Sequence, residues 1–176
     1  MADTGTTTPT ANQDEEFRML LGFLQGQRDA VLRTVEGLPE EAWQQPVVAS
    51  GWTVAGMLWH LGGAEYHWFQ DVTTGPQGEP PGDAEEGEYD WNAAFTCDLP
   101  SAEIIANYQA VCQRSDEVLA VTPLSAVPRG THNDPAVDVP NVRWIVLHMI
   151  EETATHSGHL EIARELLDGK TRLAGR

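Results

Sequence analysis

The residues best suited to chemistry cluster in one segment near the C-terminal end of the chain. Glu152 and His156 stand four apart, with His148 before them and His159 after. With Glu152 at zero on a helical wheel of about 100° per residue, His148 falls at about −40°, His156 at about +40° and His159 at about −20°. All four therefore share one face. Ile145, Met149, Ala163 and Leu167 mark that face as the apolar one, so an acid and up to three imidazoles interrupt a stripe that should point into a core. An unpaired buried carboxylate costs several kcal/mol, so groups in such positions are paired or bound to metal. Glu152 and His156 can reach one ion from adjacent turns. Oxygen and imidazole nitrogen donors together suit zinc, nickel, iron or manganese better than calcium or magnesium.

A third ligand should come from a facing helix, and the segment after Thr53 offers His60 and His67. Seven residues apart, these are nearly eclipsed but two turns separated, so one ion cannot easily take both. Each of these residues also has a plainer reading. Glu152 could pair with Arg143 or Arg164, and a histidine on an apolar face is often a hydrogen-bonded core residue. His148 and His67 are read as structural, and His159 as lining a pocket or carrying protons, a role for which His148 is the other candidate. Six tryptophans, Trp52, Trp59, Trp68 and Trp144 among them, are read as packing residues.

Four amphipathic segments must position this cluster. The first runs from about Asp14 to Glu36, with Phe17, Leu20, Leu21, Leu24, Val31, Leu32 and Val35 on one stripe. After Gly37, the sequence Leu38-Pro39-Glu40-Glu41 predicts a short helical turn. Thr53 is a good N-cap for a second helix reaching about Val72. The Gly-, Pro- and acid-rich stretch from Thr73 to Tyr89 is a loop. A third helix is expected from Ser101 to Val121. The last begins after the cap residue Asn141 and stops at Gly169, which suits a left-handed C-terminal position. No strand-like alternation or internal repeat competes. The pattern predicts an all-α fold, a four-helix bundle with long connecting loops, whose connectivity the pattern leaves open. Residues 1–13 are expected to be a disordered tail, 14–170 the bundle and 171–176 a second tail.

The chain has 176 residues and a formal net charge of −17, with 27 Asp and Glu against 10 Lys and Arg. A surface this acidic repels phosphate backbones and anionic headgroups, so neither nucleic acid nor a membrane is expected as a partner. At 41% hydrophobic residues the chain can still build a core. The N-terminus lacks the basic start and apolar run of a secretory leader, and the apolar stretch Trp144–Ile150 is far short of the roughly 20 residues that span a bilayer. Cys97 and Cys112 form no CxxC motif, and Cys112 is expected to pack as a small hydrophobe. A soluble cytoplasmic protein is expected. The acidic run Gly78–Asp90 reads as a solvated loop, with shading of the site as its other possible role.

Two stretches carry a resemblance. Gly51-Trp52-Thr53-Val54-Ala55-Gly56-Met57-Leu58-Trp59-His60-Leu61, followed by Glu65-Tyr66-His67-Trp68-Phe69, resembles the second helix of the DinB/YfiT-like superfamily. The run from Arg143 to Leu160, containing Glu152-xxx-His156-Ser157-Gly158-His159, resembles its metal-binding last helix, in the branch of mycothiol-dependent S-transferases and the maleylpyruvate isomerase N-terminal domain. The resemblance spans about residues 15–170. It implies that His60, Glu152 and His156 hold a divalent metal, zinc or nickel, at one end of a four-helix bundle that often pairs as a homodimer. Many relatives carry a third histidine where this chain has Glu152; the isomerase branch has the glutamate. The C-terminal domain of some isomerases is not expected here, which places isomerisation behind S-transfer.

Three functions follow from such a site. Two imidazoles and a carboxylate leave positions open on an ion, the mark of a catalytic site. The first reading is a transferase that activates a low-molecular-weight thiol, mycothiol or bacillithiol, for attack on a small electrophile. The second is a hydrolase using water at the same ion. The third is a ligand- or partner-binding bundle in which the ion is a structural staple.

Overall fold

The computed structural model describes residues 11–75 and 95–171. Helix α1 spans Ala11–Val35, the short α2 Glu40–Trp43, α3 Val54–Glu65, α4 Ser101–Val121 and α5 Val142–Asp168. A π-helical stretch, Tyr66–Val72, carries α3 onward without a break. No strand occurs among the described residues, and no helix among them is long and apolar enough to cross a membrane. The fold is an all-α bundle. The acidic run Gly78–Asp90 lies outside the described residues, as do 1–10 of the expected tail; its last residues, 11–13, belong to α1.

The helix ends form for the reasons their sequences suggest. Thr53 is extended and its side chain accepts from the Gly56 N–H at 3.1 Å. Asn141 does the same for Trp144 at 3.1 Å. Two more donors of the first turn of α5 are met by the preceding loop, Val142 N–H by the Ala126 carbonyl and Arg143 N–H by that of Leu124. Gly169 closes α5 in the left-handed region, φ 75°. At the C-terminal end of α1, the buried Arg164 donates to the carbonyls of Thr34 (2.8 Å) and Glu36 (2.9 Å), meeting acceptors that a helix end leaves over.

Contacts give the helix directions. Glu16 of α1 pairs with Arg143 of α5, while Thr34 and Glu36 meet Arg164, so α1 and α5 run parallel. Trp52, just before α3, lies beside His159, and Trp68 beside Trp144, so α3 opposes α5. A Cβ on Gly62 would meet Asn107 and Tyr108, and Gln70 donates to the Val111 carbonyl, so α3 and α4 run parallel. The order is up, down, down, up. Two parallel neighbours cannot be joined by a tight turn, which is why the link from α3 to α4 must be long.

The core has two apolar halves. Val31, Trp43, Leu58, Ile104 and Leu160 belong to one, and Leu24, Trp68, Phe69, Leu119 and Met149 to the other. A polar layer divides them. Arg28 of α1 donates to both carboxylate oxygens of Glu65 at 2.7 and 2.8 Å, with both side chains buried. Arg28 also reaches Asp116 of α4 at 2.7 Å, and Ser115 lies in the same layer, buried beside the Glu65 carbonyl. A guanidinium taken out of water at this depth is tolerable only with such fork-to-fork pairing.

The π stretch follows directly on Glu65. The Thr73 hydroxyl donates to the Trp68 carbonyl, five residues back, at 2.8 Å, the spacing that a π turn presents. The loop 122–141 is pinned on this stretch. Gly130 N–H donates to the Val72 carbonyl at 2.9 Å, and a Cβ on Gly130 would fall 2.4 Å from the Asp71 oxygen, so only glycine permits the approach. His132 then stacks on Trp68 at 4.7 Å and 14° and lies 5.2 Å from His67. His148 meets the Trp68 ring at 4.6 Å and stacks on Trp144 at 5.2 Å.

Two predictions follow. Glu65→Leu leaves the Arg28 charge without its buried partner and should cost about 3–5 kcal/mol in urea unfolding, most of it recovered when Arg28→Met is added. Burial, reinforced by His132 and His148, pushes the His67 imidazole down to about 4. The folded state thus resists a proton that the unfolded chain accepts near 6.5. Its stability contribution is complete above pH 6.5 and is lost as pH falls toward 4. Over that interval the wild type should lose about 2–3 kcal/mol more than His67→Gln, measured as denaturant midpoints against pH.

Candidate metal centre

Helices α3 and α5 bring three donors together across their seam. His60 Nε2 lies 3.0 Å from Glu152 Oε1, and His156 Nε2 lies 3.0 Å from the same oxygen. One ligand atom from each of the three residues can be chosen so that all lie within 4.8 Å of one another. The side chains are 14%, 23% and 13% exposed in the order His60, Glu152, His156, mostly shielded yet open on one side. Hydrogen bonds from His156 and His60 hold the Glu152 carboxyl well below the usual carboxylate range, against the opposing effect of burial. Glu152 is therefore an anion between two imidazoles.

The donor set fits a divalent ion. A tetrahedral ion with donors at about 2.0–2.1 Å needs donor pairs about 3.3 Å apart, close to the two N···O separations here. Two neutral imidazoles and one carboxylate are the chemistry that zinc, nickel, iron or manganese accept. Arg143 and Arg164, the alternative partners of Glu152, are engaged elsewhere. Arg143 pairs with Glu16 at 2.6 Å, and Arg164 with Asp168 at 3.0 Å as well as the end of α1.

The structure separates residues that the helical wheel grouped. The most deeply buried face of α5 carries Met149, Thr153, Ser157 and Leu160. Glu152 and His156 sit at its edge, turned to the α3 seam. His148 faces the two indoles and His67 faces His132, so both stand in the histidine and tryptophan cluster that pins the 122–141 loop. His159 is exposed, and its Nδ1 lies 3.2 Å from Nδ1 of His156.

Beside the three donors lies an open pocket of about 420 Å³. Trp52, Met57 and Phe95 form its apolar wall, and His156 and His159 its polar one. Phe95 stacks on His60 at 4.2 Å and 29°. Its place depends on Gly56, where a Cβ would fall 1.6 Å from the Phe95 carbonyl oxygen. Neither Phe95 nor Gly56 emerged from the sequence. Phe95 lies outside any periodic segment, whereas a glycine inside a helical pattern was a usable sign of close approach. Trp52, expected to be a packing residue, packs partly against the core and also lines this pocket.

Neither cysteine is poised as a nucleophile. Burial pushes the Cys112 thiol up to about 12, aided by the Glu65 charge, and burial also raises that of Cys97.

No curated protein matches the chain. A family description, Mycothiol-S-transferase, matches residues 19–169, a span that contains both helices of the seam and all three donors. The chain belongs to the mycothiol-S-transferase family.

Proposed function

We propose that this protein is a metal-dependent transferase that activates a low-molecular-weight thiol, of the mycothiol type, for attack on a small electrophile. The observation that carries this reading is the meeting of His60, Glu152 and His156 beside a pocket walled by Trp52, Met57 and Phe95. Family membership supplies the thiol. The raised thiols of Cys97 and Cys112 support an external sulfur nucleophile, since the chain readies none of its own.

His60, Glu152 and His156 would hold the ion, zinc or nickel. Such an ion supplies positive charge that draws the pKa of an entering thiol well below its free value of about 8.5. The residues do the rest. Glu152 contributes the one negative charge of the donor set, leaving the site net positive toward a thiolate. Phe95 holds the plane of His60 by stacking, and Trp52 with Met57 offers apolar surface to an electrophile. His148 is enclosed by Trp68 and Trp144 and is poorly placed to serve the pocket, whose polar edge is formed by His156 and His159.

The direct test is elemental analysis of wild type and His156→Ala, purified side by side without added metal and then offered thiol and electrophile. About one equivalent of zinc or nickel is expected in the wild type and little in the variant, with thiol consumption abolished. Undiminished thiol transfer by a metal-free variant would overturn the proposal. Turnover without any thiol would point to a hydrolase, and bound metal with no turnover to a structural staple.

Gly56→Ala probes the site through its wall. The substitution should favour helix α3 by up to about 1 kcal/mol on propensity, yet its Cβ must displace Phe95 from His60. Because backbone atoms must move, the expected outcome is a lowered unfolding midpoint together with a rise in KM for the electrophile, read from initial rates.

A further inference from the structure

The two nitrogens of His156 are both engaged. Nε2 lies 3.0 Å from Glu152 Oε1, within the donor group, and Nδ1 lies 3.2 Å from Nδ1 of His159. Two Nδ1 atoms at that distance can share only one proton, so one ring donates and the other accepts. A histidine that gives an ion the lone pair of Nε2 must carry its own proton on Nδ1. With an ion on Nε2 the direction of the contact would be set: His156 Nδ1–H would donate, and His159 Nδ1 would accept. The spacing of three residues on one helix puts the rings on the same face of α5, 5.3 Å apart between centroids.

We infer that His159 is a positioning residue for the metal centre, which accepts the Nδ1–H of His156, holds it in the tautomer that turns the Nε2 lone pair toward His60 and Glu152, and keeps its own proton on Nε2. This rests on the metal reading of the three donors. Ligating histidines commonly have their second nitrogen fixed by a carboxylate or a backbone carbonyl. Here a neutral ring one turn along the same helix does it, and adds no charge to the site. A consequence concerns the pocket that His159 lines with Trp52 and Phe95. With its Nδ1 occupied and its proton on Nε2, His159 offers a bound ligand a hydrogen-bond donor and not a base. A polar acceptor on the electrophile, such as a carbonyl, is the group it would orient, and the proton of the thiol must leave by another route.

The test uses the full chain and zinc alone. Zinc affinity is measured by competition with a chromophoric chelator for wild type, His159→Ala and His159→Asn, and the tautomers of the zinc-loaded wild type are read from long-range ¹⁵N–¹H correlations of the imidazoles. His159 is exposed, so neither variant should unfold. His159→Ala should weaken zinc by about 10- to 100-fold. His159→Asn, whose side-chain oxygen can take the place of Nδ1 as acceptor, should restore most of the loss. The spectra should show His156 protonated at Nδ1 and His159 at Nε2. Unchanged zinc affinity in His159→Ala, or His156 protonated at Nε2 in the zinc-loaded protein, would overturn the inference while leaving the metal centre standing. A wild type that takes up no zinc would instead bring down the metal reading itself, and this inference with it.

Discussion

The buried pair between Arg28 and Glu65 is the constraint on which the bundle turns. A guanidinium and a carboxylate this deep need each other's geometry as well as each other's charge, so α1 and α3 have one register in which both hydrogen bonds form. Asp116 brings α4 to the same layer. Apolar contacts alone would let helices slide by a turn with modest loss, because one leucine fills a gap much as another does. A bidentate pair does not. Glu65 is committed to α1 and α4, and His60, on another face of α3, is left to the seam with α5. The site inherits its alignment from an interaction that takes no part in its chemistry.

The donors themselves stand on helices, and part of the pocket wall, Trp52 and Phe95, stands on segments beside them. His60, Glu152 and His156 come from two helices fixed at their N-termini by the Thr53 and Asn141 caps, and α5 is also tied to the end of α1 by Arg164. Such a frame sets donor positions more closely than loops can. Trp52, by contrast, lies just before α3, where substitution reshapes the pocket without touching the three donors, whereas Phe95 bears on the pocket and on His60 together. Gly56 is where the two meet, since a single missing Cβ lets a loop carbonyl rest on α3 and a ring lie on His60.

Much of this was legible in the chain. Apolar spacing located the helices, and Thr53, Asn141 and Gly169 marked their ends because capping chemistry is local. The i, i+4 pair Glu152 and His156 is equally local. The partner from α3 was narrowed to His60 and His67 by spacing, and to His60 by resemblance. Arg28 and Glu65 were illegible for a physical reason: a charged residue on a helix reads as solvated until another helix shows what it meets, 37 residues away. The wheel also overstated the grouping on α5, since it shows that residues share a face but not where the seam divides that face. The π stretch from Tyr66 to Val72 leaves no mark in apolar spacing either.

All six histidines of the chain lie along the contact of α3 and its π extension with α5, and they divide by the company they keep. His60, His156 and His159 gather around one carboxylate. His67, His132 and His148 pack against Trp68 and Trp144, with burial as the leading influence on His67 and His148, driving both below their ordinary range. A carboxylate beside imidazoles makes a place for a cation. Burial in the tryptophan cluster instead disfavours a charged ring at His67 and His148, which serve there as packing units. The same residue type thus serves two ends of one seam, and the difference lies in Glu152, whose negative charge has no buried arginine to answer it. Where Glu65 meets Arg28, the charge is spent within the fold. At Glu152 it faces two ring nitrogens and an opening, and that asymmetry is what gives this seam a capacity for chemistry that the core layer lacks.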